Sequence, residues 1–150
     1  MPGNRFFIDS CIFLGAVIKD ENTRACKSFI SRIHNEVYIG YISPFVSGEM
    51  INSILYADNI RPMIKSEILH AVVDMLISTK LENFVPSNND MTVYSELRET
   101  DSRISESDLM HVICAKILKI PLVTTDDRML SSRVLKGHVE IVSPADVLLI

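Results

Sequence analysis

Long apolar runs are missing from this chain. Charges interrupt every candidate well short of the ~18 residues needed to span a bilayer, so no transmembrane helix is expected. Positive charge is in deficit as well: 15 lysines and arginines against 19 aspartates and glutamates leave a net charge of −4. That balance argues against a protein that coats nucleic acid by bulk electrostatics. It leaves room for an enzyme that holds phosphates through a local patch and a metal ion. Cysteine is scarce, and Cys11, Cys26 and Cys114 lack the close pairing of a zinc site. They read as reduced, mostly buried thiols of a cytosolic protein. No Gly-x-Gly-x-x-Gly occurs, so a dinucleotide fold is unsupported. The opening MPGNRFFIDSCIFLG carries Asp9 inside its apolar part, which argues against a signal peptide.

What is present is an ordered, core-forming composition, 47% hydrophobic and 23% charged. The 150 residues contain no internal repeat, low-complexity tract or linker, so a single domain is expected. At that length a chain buries roughly two thirds of its unfolded surface. Strands are predicted at Arg5–Ile8, Val37–Ile39, Asn83–Pro86, Ile120–Val123 and Val139–Val142, each short, apolar and bounded by turn residues. Between them lie helical patterns. One starts at Cys11, another covers Glu21 to His34, and Ser43-Pro44 opens a third with a hydroxyl cap and proline at the first helical position. Others run from Pro62 to Ser78, from an Asn89-Asp90 cap to Thr100, and from Asp108 to Lys119 behind an approximate Ser105–Asp108 capping box. A short helix follows at Met129–Leu135, and Ser143-Pro144 opens a closing turn. Strands separated by helices imply an α/β fold with a central, mostly parallel sheet of four to five strands. With strands one and four adjacent at a reversal of sheet growth, Asp9 and Asp126 share one crevice.

Four carboxylates stand out. Asp9 closes the first strand with apolar sequence on both sides, and Asp126 follows Thr124-Thr125 just past the fourth. Asp108 lies in the first turn of its helix, a position that capping alone explains. Glu49 lies further into its helix, where a solvated role is the ordinary one. Brought together, such groups repel one another and raise each other's pKa unless a cation neutralises them. Carboxylate oxygens suit Mg²⁺ or Mn²⁺, ions that bind phosphate oxygens and activate water. Metal-dependent phosphodiester hydrolysis fits this set.

The segments FIDSCIFLG, ISPFVSGEM and ISESDLMHVICAKILKIPLVTTDDRM together resemble the motif series of the PIN-domain family, in particular its VapC-type toxin ribonucleases. In that series an Asp followed by Ser or Thr ends the first strand, and a Glu sits on a helix after the second. A further Asp opens a helix with a small residue seven positions on, here Ala115, and a strand then ends in Thr-x-Asp. Gly48 and Met50, beside Glu49, depart from the usual pattern. The resemblance implies a three-layer α/β/α fold and an endoribonuclease using Mg²⁺ or Mn²⁺, with 5′-phosphate products. Asp9, Glu49, Asp108 and Asp126 match the acidic quartet that would hold metal and carry catalysis. Ser10 and Thr124 match its accompanying hydroxyls. It further implies an RNA substrate, an antitoxin partner, a homodimer and a cytoplasmic location.

Asp127 is either an outer partner of the metal site or a solvated turn residue, and His111 a supporting or packing histidine one turn after Asp108. Arg128, Arg133 and Lys136 form an acid-free stretch, read as a solvated face or, for Arg128 and Arg133, as phosphate-binding. Apolar positions between 45 and 77 exceed what one sheet face requires and suggest a dimer or antitoxin surface. A silent RNA- or protein-binding module of the same fold, or an RNA-processing nuclease without an antitoxin, stays open. A receiver-like domain wants acids beside Asp9 and a late Lys, which Ile8, Ser10 and Val142-Ser143-Pro144 do not supply. A haloacid-dehalogenase-like phosphatase wants an Asp where Cys11 stands.

Overall fold

Phe6 and Phe7 stand side by side in the first strand and face opposite ways, because side chains alternate across a pleated backbone. Each meets a different helix layer. The computed structural model describes residues 3–149; Met1 and Pro2, which begin the segment considered above for a leader, lie outside the described residues. The chain runs β1 (Arg5–Ile8), α1 (Ser10–Val17), α2 (Thr23–His34), β2 (Ile39–Ile42), α3 (Pro44–Leu55), α4 (Pro62–Ser78) and β3 (Leu81–Asn83). A 3₁₀ turn (Asn88–Asp90) leads into α5 (Met91–Thr100), α6 (Glu106–Leu118), β4 (Leu122–Val123), α7 (Asp127–Ser131), α8 (Arg133–Lys136), β5 (Ile141–Val142) and α9 (Pro144–Leu148). Phe6 meets Phe29 of α2 edge-on at 5.6 Å between ring centres, whereas Phe7 lies 6.1 Å from the His111 ring of α6. Helices therefore cover both faces, and the result is a three-layer α/β/α sandwich.

All five strands are parallel, in the order β3-β2-β1-β4-β5. The sheet grows from β1 through β2 to β3 on one side and through β4 to β5 on the other. Phe7 pairs with Leu122 and Ile8 with Val123, so the residues that follow, Asp9 and Thr124, emerge together at the carboxyl edge. That is the switch point where such sheets take ligands. Beneath it Phe7, Ile8, Ile12, Phe13, Leu122 and Val123 are wholly excluded from solvent, which holds the edge rigid. Gly40 of β2 belongs to this packing, since a Cβ there would come within 2.7 Å of Ile8 Cδ1 and 2.9 Å of Leu81 Cδ2.

Several boundaries differ from the sequence reading, for local reasons. The second strand starts at Ile39 rather than Val37, because the Val37 and Tyr38 N–H groups both donate to Arg32 O and close α2 through Glu36 at φ 60°. The third strand is Leu81–Asn83 rather than Asn83–Pro86. Its apolar continuation adds one bond, Phe84 N–H to Ile42 O at 2.8 Å. The fourth and fifth strands shrink to Leu122–Val123 and Ile141–Val142. The Met129–Leu135 helix is two short ones, Asp127–Ser131 and Arg133–Lys136, broken where the Ser132 hydroxyl caps the second. Before α5 the reciprocal cap is Ser87 with Asp90, not Asn89 with Asp90. Ser43 occupies the cap position of α3 but makes no side-chain cap bond; its carbonyl accepts the Val46 N–H and its hydroxyl is buried without a partner.

The cysteines are unbridged, with Cys26 and Cys114 buried and Cys11 half-buried. No helix among the described residues is long and apolar enough to cross a membrane. Along α3 and α4, Phe45, Ile51, Leu55, Tyr56, Met63 and Ile77 stay exposed, the apolar surplus noted in the sequence.

Candidate active site

Asp9 is the first residue past β1 and the cap position of α1, only 3% exposed. A carboxylate this deep survives only if its oxygens are engaged. Its Oδ2 accepts the Thr124 hydroxyl at 2.6 Å and the Cys11 thiol at 3.2 Å, and its Oδ1 lies 3.3 Å from the Ser10 hydroxyl oxygen. Thr124 sits one residue past β4 and receives the Asp126 N–H at 3.0 Å, so one hydroxyl ties the ends of both central strands together. Cys11 adds a second tie, its Sγ accepting the Thr125 N–H at 3.2 Å. Burial, with the Asp9 charge adding to it, keeps that thiol firmly protonated.

Glu49 reaches the same point from α3. The Ser10 hydroxyl donates to its Oε1 at 2.9 Å, and His111 Nε2 lies 2.7 Å from its Oε2. Burial opposes the Glu49 charge, but the His111 contact and the Ser10 hydrogen bond outweigh it and hold the carboxyl below its usual range. His111 is fully buried, and its Nε2 also stands 3.5 Å from Asp9 Oδ1. Burial pulls its pKa down; the hydrogen bond to Glu49 and the charges of Asp9, Glu49 and Asp108 more than reverse this, so the net direction is upward. Ligating atoms of Asp9, Glu49 and His111 all lie within 4.8 Å of one another.

Asp108 and Asp126 complete the neighbourhood at its open side. The Ser105 hydroxyl caps α6 by accepting the Asp108 N–H at 3.2 Å, which starts the helix at Glu106, two residues earlier than its apolar pattern. Burial pushes the Asp108 carboxyl up, and the charges of Asp9 and Asp126 add to it. Asp126 goes the other way: the Arg128 side chain holds it below the usual range, with Nη2 donating to Oδ2 at 3.0 Å and the Arg128 N–H to Oδ1 at 2.8 Å. A cleft of about 410 Å³ opens beside these two acids, lined by Arg103, Ser105, Asp108, Arg128 and Ser131.

Of the residues singled out in the sequence, Asp9, Ser10, Glu49 and Thr124 are joined by direct hydrogen bonds or through a shared partner. Asp108 feels the charges of Asp9, Asp126 and His111, but the carboxyls of Asp108 and Asp126 are not part of the close Asp9–Glu49–His111 group. Asp127 is exposed at the start of α7, and Arg133 is exposed and does not line the cleft. His111 does more than pack: its spacing of three from Asp108, one helical turn, was the available signal. Arg103 had none, since it comes from the irregular segment between α5 and α6.

The donor set suits a divalent cation. Carboxylate oxygens dominate it, and the upward push on Asp108 from its acidic neighbours is the strain a cation relieves.

Solved structures place this architecture among known ones. The chain superposes on VapBC2 from Rickettsia felis, bound to a DNA fragment from its promoter, with a TM-score of 0.67 and 16% identity over 93% of this chain and 98% of that one. PAE2754 from Pyrobaculum aerophilum gives 0.65 and 14%, covering 97% and 93%. FitAcB from Neisseria gonorrhoeae gives 0.66 and 15%, covering 93% and 98%. No curated protein matches in sequence. These likenesses speak for the fold alone, but a sequence profile speaks for descent: that of the PIN domain matches residues 6–134, which span β1 to β4. The chain belongs to the PIN domain family.

Proposed function

We propose that this protein is a cytoplasmic, Mg²⁺- or Mn²⁺-dependent endoribonuclease, acting as the toxin of a toxin–antitoxin pair. One observation carries the reading: acids from four separate elements, Asp9, Glu49, Asp108 and Asp126, gather at the switch point of the sheet, beside an arginine-flanked cleft. PIN domains are nucleases as a family, and VapBC structures are among the neighbouring folds.

Asp9, Asp108 and Asp126, with Glu49, would hold the cation. When bound, it supplies Lewis-acid stabilisation of charge developing on phosphate oxygens and acidifies water. The chain's own residues do the rest. Thr124 and Cys11 pin Asp9 Oδ2 and leave Oδ1 facing the cluster, while Ser10 orients both Asp9 and Glu49. Arg103 and Arg128 line the cleft and are the groups placed to bind phosphates flanking the scissile bond. Arg133 is a more distant candidate for the same strand. The exposed apolar residues of α3 and α4 fit an antitoxin segment or a second copy of this chain. The test is cleavage of single-stranded RNA with Mn²⁺ or Mg²⁺, expected to give 5′-phosphate ends and to stop in excess EDTA. Full activity in EDTA would sink the proposal.

Arg128 has two demands on it. Its side chain is 84% exposed, so its pairing with Asp126 is screened by solvent and readily exchanged for a phosphate. Arg128→Ala is expected to weaken RNA binding several-fold and flatten its salt dependence by about 0.7 in log–log slope, the value for one single-strand phosphate. Metal affinity should move the opposite way, rising modestly as Asp126 is released. Titrations of RNA at several salt concentrations, and of Mn²⁺ by calorimetry, read both.

A further inference from the structure

We propose that His111 is a nitrogen ligand of the cation held by this cluster, and that it biases the site toward first-row transition ions over Mg²⁺. The inference rests on the metal-dependent reading above and deepens it. His111 enters from the third position after Asp108, so both project from the same side of α6 toward the sheet edge. Its Nε2 stands 2.7 Å from Glu49 Oε2, a hydrogen bond that the ion would replace, and 3.5 Å from Asp9 Oδ1. Neighbouring ligands around an ion at the usual 2.0–2.2 Å are themselves about 3 Å apart, and these two separations bracket that value.

Burial makes the same case. The imidazole is fully excluded from solvent, and its Nδ1 has no hydrogen-bond partner. An unsatisfied buried polar atom costs about 1–3 kcal/mol, which a leucine or phenylalanine in this slot would avoid. Only Nε2 has polar neighbours, and they are the carboxylates of Asp9 and Glu49. Ring orientation comes from packing against Phe7, tilted 37° to it, rather than from an acceptor on Nδ1. A rigid imidazole between two carboxylates makes a mixed nitrogen and oxygen set. Mg²⁺ prefers oxygen and retained water, whereas imidazole suits the later first-row ions.

Electron spin-echo modulation of Mn²⁺ bound to the full chain tests the assignment. The expected result is a ¹⁴N coupling that changes to a ¹⁵N pattern when the protein is grown with ¹⁵N-histidine, a measurement needing no variant. In His111→Gln the coupling should vanish and Mn²⁺ affinity fall at least about 10-fold. Mg²⁺ affinity should change far less. Bound Mn²⁺ without nitrogen coupling overturns the assignment and leaves the metal-dependent reading standing. Absence of Mn²⁺ binding overturns both.

Discussion

Replacing Asp9 by Asn is expected to abolish cleavage, lowering kcat/KM by at least about 10³-fold, while the protein stays folded. The size follows from its position. Losing an outer partner of a metal ligand already costs about 10–100-fold, and losing one preorganised electrostatic contact costs about 10²–10³-fold. Asp9 is the buried acid on which Ser10, Cys11 and Thr124 all converge, so its charge is the focus of the cluster. Retention of the fold follows from shape: Asn is nearly isosteric, its amide oxygen still accepts a hydrogen bond, and the neighbouring hydroxyls can rotate. Cleavage of single-stranded RNA by the variant, alongside its melting temperature, checks both halves. Wild-type activity in a folded variant would remove Asp9 from the site.

Asp108→Asn is expected to have opposite effects on stability and function. Burial and the charges of Asp9 and Asp126 raise the folded-state pKa of Asp108 above its unfolded value. The folded chain therefore binds a proton more tightly than the unfolded one. The stability this contributes is present at acid pH and lost as pH rises through the raised value, so at neutral pH the metal-free protein carries an uncompensated charge. Asn removes that charge. Without metal, the variant should melt higher at pH 7, by about 2–4 °C for each kcal/mol relieved, with the advantage disappearing toward pH 3. The helix dipole, which favours an acid in the first turn of α6, reduces the gain. With Mn²⁺ the order reverses, because the wild type gains a ligand that the variant lacks. A variant less stable than wild type at neutral pH in EDTA would contradict this account.

The fold was legible because β1 and β4 are short apolar runs with abrupt polar ends, and because the pattern between strands is helical throughout. Strand lengths were not legible. Ile120 and Val139 are as apolar as Leu122 and Ile141 but lie outside the strands, since a hydrophobic pattern reports burial and not ladder pairing. The Ser43 cap failed for a similar reason, as the hydroxyl went to the interior and the carbonyl alone closed the first turn.

What the sequence by itself determined is the set of parts: an α/β chain, acids at strand ends and helix starts, and a motif order that places it with PIN domains. Tertiary structure decided how those parts meet. Parallel pairing of Phe7 with Leu122 and Ile8 with Val123 brought Asp9 beside Thr124 across 115 residues of chain. Packing of α3 against α6 set Glu49 on His111 across 62 residues inside that span. The Thr124-Thr125-Asp126 turn owes its role to that pairing, and Arg128, two residues further, claims Asp126 as well. Such contacts are invisible in one dimension because hydrogen-bond and charge energies depend on distances in space, which only the closed sheet imposes.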